Sequence, residues 1–120
     1  MGVRHMGREF ILTPIFQKLW KKAELGKDTL LELQQELLEH PDKGVVIPGT
    51  NGLRKIRIPA SGRGKRGGGR VFYKDFVVKN KIYFLFLVIK NEKEDLTQEQ
   101  KKQVAATIKE IEKELNNERK

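Results

Sequence analysis

Residues 53–90 read LRKIRIPASGRGKRGGGRVFYKDFVVKNKIYFLFLVIK, and their apolar residues recur at a period of two or run continuously. In Leu53–Ile58 the side chains of Ile56 and Ile58 alternate with Lys55 and Arg57. That pattern predicts a strand with one face buried and the other cationic. Arg70–Val78 is the next expected strand, and Lys79-Asn80-Lys81 reads as a tight turn. Ile82–Lys90 then supplies an unbroken apolar run, as expected of a central strand covered on both faces. Neighbouring strands joined by short turns or loops pair antiparallel.

On the N-terminal side the period becomes helical. Residues 1–8 read as a disordered leader or tag, with a single domain expected over 9–118. Glu9–Leu12 is a short strand candidate. Thr13-Pro14 combines an N-cap with proline at the first helical position. Ile15, Phe16, Leu19, Trp20 and Ala23 then predict a helix ending near Gly26. Asp28 or Thr29 is a second start signal, Thr29-x-x-Glu32 having capping-box spacing. Leu30, Leu33, Leu37 and Leu38 give that helix its apolar face, and His40-Pro41 stops it. A short extended piece at Val45–Ile47 and a dense turn at 48–52 lead into the strands. Beyond them, Thr97-x-x-Gln100 repeats the capping-box spacing, and Val104, Ile108, Ile111 and Leu115 predict a long amphipathic helix. The expected fold is α+β, in the order β-α-α-β-β-β-α. An antiparallel sheet carries an N-terminal αα-hairpin and a C-terminal helix, all packed on one face.

The chain has 25 Lys and Arg against 16 Asp and Glu, a net charge of +9 over 120 residues. Residues 54–70 hold seven of those cations (Arg54, Lys55, Arg57, Arg63, Lys65, Arg66, Arg70) and no acid, so the remainder carries 18 − 16 = +2. The same stretch holds five of the eleven glycines. With no cysteine there is neither disulfide nor thiolate metal site. His5 and His40 lack ligand spacing, and no cofactor is expected. No apolar run approaches the roughly 20 residues of a membrane span, and no export signal is evident, so the cytoplasm is the expected location.

A basic glycine-rich run is read in two ways. It is either a solvated hairpin loop or the footprint of a polyanion, most often nucleic acid. The adjoining strands favour the second. Pairing them would bring Lys55, Arg57 and Arg70 from ordered backbone onto one surface, which a solvating loop does not need. No P-loop is present. Tyr73, close behind Arg70, is expected to share its face and be free to stack bases. Core packing is the expectation for Phe72, Phe86 and Trp20.

The run GTNGLRKIRIPASGRGKRGGGRVFY at 49–73, followed by YFLFLVIKNEKEDLT at 83–97 and a helix, resembles the HigB-type branch of the RelE/ParE toxin superfamily over roughly 9–118. The Gly52–Arg57 core and the Lys90–Thr97 run together carry the resemblance. It implies a toxin of a type II toxin–antitoxin module that cleaves ribosome-bound mRNA. Lys55 and Arg57 match the two cations of the family's catalytic strand, and Arg70 its phosphate-stabilising arginine. Lys90 matches a basic position ending the central strand. Asn91 and Thr97 stand where RelE has a second arginine and a tyrosine.

The chemistry implied is metal-independent attack of an RNA 2′-hydroxyl on the adjacent phosphate. Arginine suits the phosphorane because its planar fork binds two oxygens. Crowding by other cations disfavours the charged form of a lysine, which makes Lys55 the candidate for proton transfer. Glu92 is a candidate base or a salt-bridge partner. Arg54, Arg63, Lys65, Arg66, Tyr73 and Asn91 are the expected RNA contacts. Implied partners are the ribosome, mRNA and a cognate antitoxin, expected to be a helix-turn-helix protein, with operator DNA reached only through the antitoxin complex. Two alternatives stand beside this reading. One is a non-catalytic RNA- or DNA-binding regulator or inactivated toxin homologue; the other is a gyrase-poisoning toxin of the ParE branch.

Overall fold

The computed structural model describes residues 8–59, 68–89 and 96–117. Its elements are β1 (Glu9–Leu12), α1 (Pro14–Lys22), α2 (Gly26–Glu39), β2 (Val45–Val46), β3 (Arg54–Ile58), β4 (Gly69–Phe76), a 3-10 turn at Val77–Lys79, β5 (Lys81–Ile89) and α3 (Gln98–Asn117). The sheet order is β1-β5-β4-β3-β2. β5 is the hub, flanked by β4 on one side and β1 on the other. β1 pairs with β5 in parallel, from Glu9 opposite Lys81 to Leu12 opposite Phe84. Every other pairing is antiparallel. The two-residue Val45–Val46 counts as a strand of its own, adding one to the expected order.

The helices cover both faces rather than one. Phe16 and Trp20 of α1 with Leu33 and Leu37 of α2 share a core with Ile56, Ile58, Val71, Tyr73, Ile82, Phe84 and Leu87. On the other face Val104, Ile108, Ile111 and Leu115 of α3 pack with Leu53, Phe72, Phe76, Leu85 and Val88. The unbroken apolar run of β5 requires this: a strand apolar on both faces needs cover on both. Phe84 and Leu87 share a face across an odd spacing because of a bulge. Phe72 opposes Phe86 while Tyr73 opposes Phe84, so Leu85 is an extra residue in β5.

Local chemistry explains most boundaries. The Thr13 hydroxyl accepts from the Phe16 amide at 3.3 Å and caps α1, with Pro14 opening the helix. The capping box at α3 is reciprocal: Gln100 N–H donates to the Thr97 hydroxyl at 3.0 Å, and Thr97 N–H donates to the Gln100 side chain at 2.9 Å. The start of α2 departs from expectation. It begins at Gly26, with no side-chain cap, so Thr29 lies inside the helix. Burial of Leu25 draws the chain into a tight turn in which Glu24 takes a φ of 53°. β4 also ends early. Val77 and Val78 leave the sheet for the 3-10 turn and are exposed, and Asn80 completes the reversal at a φ of 57°. Among the described residues no helix is long and apolar enough to cross a membrane.

Candidate polyanion-binding face

The register of β3 and β4 assembles the candidate site. Arg57 stands directly opposite Arg70, and Lys55 opposite Phe72. Strand alternation sends Ile56, Ile58 and Val71 into the core beneath α1 and α2. Lys55, Arg57 and Arg70 therefore share the other face, on which α3 also packs. Arg70 is flanked on its second side by Val88 of β5. It is only 8% exposed, whereas Arg57 is exposed and Lys55 half-buried. The site thus grades from an enclosed guanidinium through half-buried Lys55 to exposed Arg57.

Two guanidinium groups opposite one another on neighbouring strands repel, their Cβ atoms being about 4.5–5.5 Å apart. An anion bound at this rung would be attracted by both side chains. The paired planar forks suit a phosphate, whose oxygens accept bidentate hydrogen bonds. The glycine opening β4 serves the same geometry. A Cβ at Gly69 would lie 2.6 Å from the Val88 carbonyl oxygen, so glycine is required for β4 and β5 to approach beside Arg70.

Two of the expected RNA contacts, Tyr73 and Arg54, make structural contacts on the other face of the sheet. Tyr73 is three residues beyond Arg70, and an odd separation along a strand places it on the opposite face. It is fully buried. Its hydroxyl donates to the Pro41 carbonyl at 2.9 Å and accepts from Gly44 N–H at 2.8 Å. Burial pushes its phenol above the ordinary value of 10.0, with the hydrogen bond from Gly44 pulling the other way. Tyr73 has no open ring face and is no stacking platform. Arg54, directly opposite Tyr73, donates from Nη1 to the Gly44 carbonyl at 2.6 Å and the Asp42 carbonyl at 3.1 Å. Arg54 and Tyr73 together pin residues 41–44 to the sheet, a structural role that for the fully buried Tyr73 replaces the expected RNA contact. Arg63, Lys65, Arg66, Lys90, Asn91 and Glu92 lie outside the described residues. Phe72 and Trp20 are buried and Phe86 partly so, as expected; Thr97 is committed to the α3 cap.

Two helices on one face of a five-stranded, mostly antiparallel sheet and a long C-terminal helix on the other define a RelE-like α+β fold. One solved structure with this fold that the chain resembles is a double arginine-to-alanine mutant of the E. coli toxin RelE in the free state. The TM-score is 0.50 at 22% identity, over 68% of this chain and 82% of that one. At that identity the likeness is one of fold. No family model matches the sequence.

Proposed function

We propose that this chain is the toxin of a type II toxin–antitoxin module, of the HigB type, and that it cleaves mRNA on the ribosome. The observation that carries the reading is the opposed Arg57–Arg70 pair, with Lys55 on the same face of a RelE-like sheet. In the proposed step the ribose 2′-oxygen loses its proton and attacks the adjacent phosphorus. The bond from phosphorus to the 5′-oxygen breaks, leaving a 2′,3′-cyclic phosphate and a 5′-hydroxyl that takes up a proton. Arg70 and Arg57 hold the equatorial oxygens as charge develops on them. Lys55 moves a proton at the 2′- or 5′-oxygen; Lys90 and Glu92 are further candidates for the catalytic step, and Asn91 for contact with the RNA. Arg63, Lys65 and Arg66 grip the nucleic-acid backbone. A helix-turn-helix antitoxin is the proposed cytoplasmic partner.

Expression without an antitoxin should arrest growth and leave mRNA fragments ending in cyclic phosphate. Arrest with intact mRNA would overturn the reading. One observation favours a second reading, a non-catalytic RNA-binding homologue: Thr97 is used as a helix cap and has no phenol to offer. In that case RNA binding would fall steeply with salt while no message is cut in a translating extract.

A further inference from the structure

On the α3 side of the sheet, the face that carries Lys55, Arg57 and Arg70, lies a small cleft that the proposed step does not use. It measures about 220 Å³ and opens between the start of α1 and the first half of α3, over β5. That is below the roughly 300–1,000 Å³ of whole small-molecule sites, so it takes one ring and not an extended ligand. Ile15, Leu85 and Phe86 form its apolar wall, and Gln100, Gln103 and Thr107 of α3 its polar one. Ile15 is exposed and Phe86 only partly buried, which leaves apolar surface open to an incoming group. Among the described residues that line it, none is charged.

The polar wall offers donors and acceptors together. Gln100 Oε1 accepts from Thr97 N–H at 2.9 Å, leaving its amide N–H groups to donate. The Thr107 hydroxyl donates to the Gln103 carbonyl at 3.0 Å, leaving its oxygen to accept. The exposed Gln103 side chain brings groups of both kinds. A phosphate or carboxylate calls for donors and cations. This lining matches instead a neutral planar ring whose edge both donates and accepts. We infer that the cleft is a nucleobase pocket, in which a base stacks on Phe86 and its edge bonds to Gln103 and Gln100. Strand register supplies the adjoining phosphate site. Arg70 stands opposite Val88, and Phe72 opposite Phe86. Two residues of rise and one strand spacing put the Phe86 backbone about 8 Å from that of Arg70. Only a ribose separates a base from its phosphate, so a strand gripped at the arginine rung can seat the neighbouring base in the cleft. The inference rests on reading the cationic face as an RNA site, and adds to it the residues that meet the base.

The test compares labelled oligouridylate and oligoadenylate of about ten nucleotides with an abasic ribose-phosphate strand of equal length. Anisotropy follows binding to wild type, Gln103→Ala and Phe86→Leu, with thermal midpoints recorded. Wild type should bind the better base-bearing strand about tenfold more tightly than the abasic one. That advantage should vanish in Phe86→Leu and shrink in Gln103→Ala, while affinity for the abasic strand, which reports the cationic face alone, is unchanged. Gln103 is exposed on a helix and alanine favours helix, so its variant keeps the test open should Phe86→Leu fail to fold. Irradiation of an iodouridine-substituted strand locates the base, with a cross-link at Phe86 expected. Equal binding of abasic and base-bearing strands, an undiminished advantage in well-folded Gln103→Ala, or a cross-link confined to Tyr83 or Trp20 would each overturn the pocket while leaving the cationic-face reading intact. Failure of wild type to bind any strand would overturn both.

Discussion

Arg57 and Arg70 are far apart in sequence yet occupy one rung of the ladder, and their roles differ with their burial. Arg70 is nearly enclosed, so its guanidinium is held in place before any anion arrives; Arg57 is free to follow the ligand. Arg70→Lys keeps the charge but loses the planar fork, and a substantial loss of cleavage is expected with only a modest loss of binding. Comparison of single-turnover rates with binding constants checks this. Tyr73 and Arg54 show the limit of a charge count. The parity of positions 54, 56 and 58 assigns Arg54 to the isoleucine face, and the same counting separates Tyr73 from Arg70, so both placements were legible in the numbering. What sequence alone does not reveal is that Pro41, Asp42 and Gly44 return to meet them. Tyr73→Phe leaves Gly44 N–H and the Pro41 carbonyl without their partner and should cost about 1–3 kcal/mol. Urea denaturation would measure it, with RNA binding unchanged. The folded-state pKa of Tyr73 is raised, so its contribution is fully present below the unfolded value of 10.0 and is lost as pH rises through the folded value. Wild-type stability should therefore fall above pH 10.0 more steeply than that of Tyr73→Phe. Equal slopes would contradict that environment.

Elements were legible where local chemistry decides them. The caps at Thr13 and Thr97, the stop before Pro41 and the alternation of β3 are all set by nearest neighbours. The start of α2 was not, because burial of Leu25 outweighed the capping box at Thr29. Nor was the end of β4, since Val77 and Val78 have strand propensity but spend it in a turn. The two-sided cover was implicit in the apolar run of β5; what remained hidden was which helix covers which face. The parallel pairing of β1 is a long-range choice that four residues cannot signal. At α3 the reciprocal Thr97–Gln100 bonds predict that Thr97→Ala costs about 1 kcal/mol, seen as a lower denaturation midpoint and faster amide exchange in the first turn alone. Gly44 is a tighter constraint. A Cβ there would meet the Tyr73 ring and hydroxyl at 2.8 Å. Gly44→Ala should destabilise by about 1–3 kcal/mol, and less in a Tyr73→Ala background. Additive effects would show that the two do not touch.

At the scale of the whole molecule, charge is distributed by face. Most of the net +9 arises from residues 54–70; of their described strand cations Lys55, Arg57 and Arg70 share the α3 side of the sheet and Arg54 lies on the other. Binding to single-stranded RNA should therefore weaken steeply with salt, by about 0.7 logarithmic units per tenfold rise in salt for each phosphate neutralised. Arg57→Ala should lower that slope by about one such contact, while Lys18→Ala, on the helical side, should leave it unchanged. The central claim is that the opposed arginines are catalytic and not merely adhesive. The direct measurement is the rate of cleavage of a reporter mRNA in a translating extract by wild type, Arg57→Ala and Arg70→Ala, with thermal midpoints recorded for all three. Cleavage by the wild type is predicted, together with a loss of about 10²–10³ in rate in each variant at a near-wild-type midpoint for the exposed Arg57. Intact mRNA with the wild type, or wild-type rates in well-folded variants, would contradict it.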